Sequence, residues 1–107
     1  MGILEMKTAV NGLEWNIEYA DDKVLDNEGD GVVLGVTKFL EQKIYIRRGM
    51  SKELTRRTVI HELCHCFLFS LGFSSETFDE ETVCNLFGNN GVRIIMITNE
   101  FMRAEER

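Results

Sequence analysis

The stretch Ser51–Gly72, SKELTRRTVIHELCHCFLFSLG, decides the fold. Its interior, Lys52 to Leu71, holds no glycine or proline and is rich in Leu, Arg and Glu, which are good helix formers. Ser51 offers an N-cap hydroxyl, and Gly72 can take the left-handed conformation just past a last turn. A helix over 52–71 is therefore predicted, with both ends marked. What precedes it is extended. Lys43-Ile44-Tyr45-Ile46-Arg47 and the β-branched run Val32–Thr37 read as strands over 43–47 and 32–37, joined by a turn into a hairpin. Upstream, Leu13, Trp15, Ile17 and Tyr19 alternate with Glu14, Asn16 and Glu18, the period of a half-buried strand over 13–19. Ala20–Gly31, crowded with Asp, Gly and Asn, reads as a solvated loop.

Beyond Gly72, Thr77 and Glu80 fit a capping box that opens a second helix over 78–103. Gly88-Asn89-Asn90-Gly91 weakens the middle of that helix, where a break or kink is expected. Strand, hairpin, helix, helix is the order of an α+β domain, a small antiparallel or mixed sheet packed on two helices. With 107 residues the expectation is one domain, 1–107. A composition of 44% apolar and 28% charged residues excludes a disordered tail. No apolar run approaches the roughly 20 residues of a membrane span, and Met1–Lys7 lacks the pattern of a signal peptide. Three cysteines, an odd number, argue for reduced thiols and a cytoplasmic location. A net charge of −6, divided evenly between the halves of the chain, makes nucleic acid an unlikely main partner.

The chemistry is concentrated in His61-Glu62-Leu63-Cys64-His65, an H-E-x-x-H motif inside the long helix. Residues i and i+4 stack on one helical face, so both imidazoles can reach one zinc ion. Glu62, offset from that pair, suits a general base that takes a proton from a metal-bound water and passes it to a leaving amine. The chain's two histidines are both in the motif. A catalytic zinc takes three protein ligands and keeps one open position. The metzincin extension is excluded because its Gly and His positions hold Leu68 and Leu71, and no cysteine precedes Cys64 to act as an upstream ligand. A carboxylate or a thiolate is left. Cys64 and Cys66 point away from the His61–His65 edge and read as small packing residues. Among Glu76, Asp79, Glu80 and Glu81, the last shares a helical face with Cys84, Gly88 and Ile95. If that face packs on the first helix, Glu81 is carried toward the metal, while Asp79 and Glu80 serve the helix dipole.

His61-Glu62-Leu63-Cys64-His65 followed by Glu81-Thr82-Val83-Cys84-Asn85 resembles the gluzincin arrangement of ImmA/IrrE-type zinc metallopeptidases. Gly35-Val36-Thr37 and Lys43–Ile46 ahead of the motif helix resemble that family too, so the likeness spans about 32–92. It implies a zincin-like fold, zinc held by His61, His65 and Glu81, and Glu62 as the base. It further implies a cytoplasmic endopeptidase that cuts a repressor or other regulator, often of a phage or mobile element. The chain departs from the family by lacking a helix-turn-helix module and the Leu-Met-Pro-like segment, and it has no proline. As a bare core it equally resembles the minigluzincins, compact and often self-inhibited peptidases.

Three further readings attach to the motif. The hairpin 32–47 is the candidate edge along which an extended substrate segment pairs by strand addition. Tyr45 is a candidate donor to the oxyanion, against a plain packing role. Asn85, one turn beyond Glu81, is a candidate for holding that carboxylate, against surface solvation. Arg47, Arg48, Lys52, Arg56 and Arg57 form a basic cluster near the helix start, a solvated face that also hints at a negatively charged partner. The reading opposed to an enzyme is a non-catalytic, zinc-stabilised binding module.

Overall fold

A computed structural model describes residues 5–25, 32–72 and 79–105. Strand β1 (Glu5–Val10) and strand β2 (Leu13–Ala20) are joined at Asn11-Gly12, both in left-handed conformation with φ of 48° and 86°. Asn-Gly is the pair that a two-residue hairpin turn requires. A single-turn helix α1 (Asp22–Leu25) follows, with Leu25 fully buried. Strand β3 (Gly35–Lys38) and strand β4 (Lys43–Arg47) form the expected hairpin, and then come helix α2 (Lys52–Ser70) and helix α3 (Glu80–Glu105). The sheet order is β1-β2-β4-β3, with β2 and β4 parallel and the other pairs antiparallel. The architecture is α+β, a four-stranded mixed sheet with its helices on one face.

Strand alternation decides which face is covered. Trp15, Ile17, Tyr19, Ile44 and Ile46 point to one side and are buried. Val59, Leu63, Cys66 and Phe67 of α2, with Leu86, Ile94, Ile97 and Phe101 of α3, close over them. Each fully buried aliphatic or aromatic side chain contributes about 1.5–3 kcal/mol. The opposite face of the sheet carries Lys7, Glu14, Glu18 and Tyr45. The α2 ends are as the sequence marks them. Ser51 Oγ accepts from the Leu54 amide at 3.1 Å, and Gly72 takes a φ of 85° just past the last turn.

Three expectations are corrected. The elements predicted from the sequence include neither β1 nor α1, and β1 takes the place of β2 at one edge of the sheet. The α3 helix runs unbroken through Gly88-Asn89-Asn90-Gly91, because Ile94, Ile97 and Phe101 beyond them and Leu86 before them are held in one core. The capping role passes to Asp79, whose carboxylate accepts from both the amide and the hydroxyl of Thr82 at 2.8 and 2.7 Å. Thr77 lies outside the described residues. These two hydrogen bonds hold the exposed Asp79 carboxyl below its ordinary range.

Candidate metal centre

α2 crosses the covered face of the sheet beside the β3–β4 hairpin, and the register of that hairpin builds the site. Gly35 pairs with Ile46 and Thr37 with Ile44, so both share the face that meets α2. Gly35 permits the close approach. A Cβ there would lie 2.8 Å from Thr58 Cγ2, 3.0 Å from the Tyr45 carbonyl oxygen and 3.2 Å from Glu62 Cγ. Two residues on, the Thr37 hydroxyl donates to Glu62 Oε1 at 2.7 Å, with the Glu62 carbonyl oxygen 3.2 Å away. Glu62 is only 6% exposed, a buried carboxylate whose one oxygen is fixed by a strand hydroxyl. Its other oxygen, Oε2, is 3.9 Å from His61 Nε2.

His61 and His65 sit one turn apart and exposed, their rings 5.0 Å between centroids and 77° between planes. Ligand atoms of His61, Glu62 and His65 all lie within 4.8 Å of one another. Nitrogens bound tetrahedrally to one zinc stand roughly 3.4 Å apart. Exposed imidazoles one turn apart on a helix are free to turn toward that spacing, so the cluster could hold a metal ion.

The remaining predicted site residues fall elsewhere. The face bearing Glu81, Cys84, Gly88 and Ile95 is exposed, and α3 instead buries Thr82, Leu86, Ile94, Ile97, Thr98 and Phe101. Larger apolar groups decide that rotation over the small Cys84 and Gly88. Glu81 is thus outside the His61–Glu62–His65 cluster, with no hydrogen bond or ion pair among the described residues. Asn85 is likewise exposed and bonds to no carboxylate among the described residues. Tyr45 is opposite Val36 and Glu18 on the uncovered face of the sheet, turned away from α2, which removes it as an oxyanion donor. Cys66 is fully buried, and burial together with the negative charge of Glu62 keeps its thiol protonated; burial also raises Cys64. Neither belongs to the described His61–Glu62–His65 cluster.

Two depressions flank the cluster. One of about 380 Å³ is lined by Val33, Leu34, Gly35, Leu54, Arg57, Thr58, His61 and Glu62. The other, about 280 Å³, is lined by Gly35, Val36, Thr37, Phe39, His61, Glu62 and His65. They share Gly35, His61 and Glu62, so together they form a groove along β3, an edge strand of the sheet. Phe39 stacks on Phe69 at 4.7 Å, and Trp15 meets both edge-on, which gives the second depression an aromatic end. The basic cluster is dispersed. Arg47 Nε donates to the Val33 carbonyl at 2.7 Å, Arg48 lies over the Tyr19 ring at 5.9 Å, and Arg57 lines the groove.

Sequence reasoning missed Thr37 and Gly35 as working parts of the site. The signal was available in the hairpin, since pairing Ile44 and Ile46 inward carries the residues opposite them to the same face. No family model matches the chain, and no curated protein or solved structure is significantly similar to it. No described helix is long and apolar enough to cross a membrane.

Proposed function

We propose that this protein is a zinc-dependent endopeptidase of the H-E-x-x-H gluzincin type, of the kind its sequence resembles in the ImmA/IrrE family. The observation that carries the reading is the placement of Glu62, a buried carboxylate between two exposed histidines on the floor of a groove beside an edge strand. A purely structural metal site has no use for an anchored carboxylate next to its first ligand. His61 and His65 hold the zinc, and Glu81 completes the set as the resemblance implies. The described cluster does not include Glu81, so recruiting it requires the start of α3 to move; its exposed side chain, unpaired among the described residues, is available for that. When bound, zinc supplies Lewis acidity toward a peptide carbonyl and lowers the pKa of a water.

The rest follows from the chain's own residues. Thr37 occupies Oε1 of Glu62, leaving Oε2 to accept a proton and later return it to the leaving amine. The β3 edge offers main-chain donors and acceptors to an extended substrate segment, so much of the binding is backbone pairing. A groove this shallow takes an extended or locally unfolded segment of a regulatory protein, not a folded surface. The three free thiols suit a reducing cytoplasm.

Glu62→Gln tests the reading. Hydrolysis of a cleavable segment should fall by orders of magnitude while zinc content and fold persist. Wild-type turnover in that variant would sink the mechanism. A second reading, a zinc-stabilised binding module, is favoured by one observation: the described cluster joins two histidines to Glu62 and does not include Glu81. Zinc-dependent peptide binding with no hydrolysis by the wild type would decide for it.

A further inference from the structure

The 380 Å³ depression on one side of the metal centre is chemically uneven. Val33, Leu34 and Leu54 give it apolar walls, His61 and Glu62 line it as well, and Arg57 is the one Arg or Lys in its lining. Arg57 is exposed and has no hydrogen bond or ion pair among the described residues. Glu53, one turn earlier on α2, makes no ion pair with it. Arg56 beside it does not line the depression, and two other nearby bases are already engaged. Arg47 is bonded to the Val33 carbonyl and Arg48 lies on the Tyr19 ring, so both support structure.

We propose that this depression is a carboxylate-reading subsite, with Arg57 as the residue that selects substrate segments by a negative charge next to the cleaved bond. The proposal rests on the peptidase reading for its biological use, but the recognition itself does not need turnover. An aliphatic stem against Val33, Leu34 and Leu54 with a carboxylate at its tip matches the lining, and the planar guanidinium fork takes a carboxylate by two parallel hydrogen bonds. The volume is at the low end of ligand pockets, about 300–1,000 Å³, which suits one side chain.

Helix geometry gives the position. Arg57 precedes His61 by four residues, a little over one turn or about 6 Å along α2. An extended chain advances about 3.3 Å per residue. The acidic residue therefore falls one or two residues from the bond held at His61 and Glu62. Nucleic acid fits this site poorly. Phosphate tracking needs a series of cations, whereas the groove offers one and the whole chain carries a net charge of −6.

The test uses fluorescein-labelled ten-residue peptides in an unstructured Ala/Thr/Val background, bound to the full-length Glu62→Gln protein with and without added zinc. One set, amidated at the C-terminus, carries a single Glu, Gln or Lys. Another carries no acidic side chain but keeps a free C-terminal carboxylate, which separates the two sources of the group. Anisotropy titrations should give a three- to tenfold tighter Kd for the carboxylate peptide than for its neutral counterpart in one of the sets. Arg57→Gln should erase that difference without moving the thermal midpoint, and Arg57→Glu should turn the preference toward Lys. Discrimination that survives Arg57→Gln, or no discrimination in either set, overturns the proposal. So does displacement of the peptide by a ten-residue oligothymidine that itself depends on Arg57. Hydrolysis by the wild type without any acidic preference would leave the peptidase reading standing and this inference refuted. An acidic preference without hydrolysis would do the reverse.

Discussion

Replacing Gly35 by alanine puts a methyl group at the tightest contact of the site. Gly35 does not have a left-handed φ, so alanine fits the backbone and its only penalty is space. The new carbon would stand 2.8 Å from Thr58 Cγ2, 3.0 Å from the Tyr45 carbonyl oxygen and 3.2 Å from Glu62 Cγ. Thr58 cannot swing aside cheaply, being buried and β-branched, with its hydroxyl donating to the Leu54 carbonyl at 2.8 Å. Overpacking of this kind costs about 1–3 kcal/mol. The entropy that alanine removes from the unfolded chain offsets about 0.4–1 kcal/mol. The net loss is about 1–2 kcal/mol, on the order of 5–10 °C in Tm for a domain near this size. Urea and thermal melts of Gly35→Ala read it directly. Thr58→Ser provides the control, since it deletes the 2.8 Å contact and keeps the hydroxyl. Alone it should cost about 0.8 kcal/mol for a buried methyl, whereas in the Gly35→Ala background it should recover part of the loss, the Tyr45 carbonyl contact at 3.0 Å remaining. A Gly35→Ala protein as stable as wild type, or strictly additive effects in the double variant, would refute the packing argument.

Three further predictions come from other contacts. Thr37→Val removes the hydroxyl that holds Glu62 Oε1 and should cost about 1.5–3 kcal/mol in the metal-free protein; Thr37→Ser should recover most of it, and a double-mutant cycle with Glu62→Gln showing no coupling would count against the contact. Gly88→Ala should stabilise by about 0.5–1 kcal/mol, because a Cβ there meets nothing within 4 Å and the position is mid-helix; a loss of stability in denaturant would mean that α3 is broken there after all. Asp79 has a folded pKa below its unfolded value of about 3.9, so its capping contribution is present above that value and is lost as the pH falls through the folded one. Acid titration of the Thr82 amide by NMR should follow this carboxyl, and an unchanged titration in Asp79→Ala would refute the assignment.

Much of this arrangement is legible in the chain because local signals agree with global packing. Ser51 and Gly72 delimit α2, the alternation about Ile44 and Ile46 sets the hairpin, and His61 and His65 coincide on one face by spacing alone. β1 was legible too. Asn11-Gly12 between the alternating Met6, Thr8, Val10 and Leu13, Trp15 is a hairpin signal, but Glu5, Lys7 and the short apolar residues conceal it when strands are sought by hydrophobicity. The rotation of α3 was not legible. A face of Glu81, Cys84, Gly88 and Ile95 and a face of Leu86, Ile94, Ile97 and Phe101 are both apolar enough to pack, and only the volume available over the sheet selects between them. The exposed face that results borders a 440 Å³ apolar groove lined by Ile60 and Cys64 of α2 and by Phe87, Ile95 and Met96 of α3. Thr37 escaped notice because its role depends on a strand register that spacing along the chain does not specify.

The central claim is that His61 and His65 hold a zinc ion beside a base. Zinc content after exhaustive dialysis, measured by plasma emission on wild type, His61→Ala, His65→Ala, Glu62→Gln and Glu81→Ala, tests it most directly. The account predicts about one zinc per wild-type chain, full retention in Glu62→Gln, loss in both histidine variants and weakened retention in Glu81→Ala. A wild-type protein that binds no zinc, or histidine variants that keep it, would contradict the account.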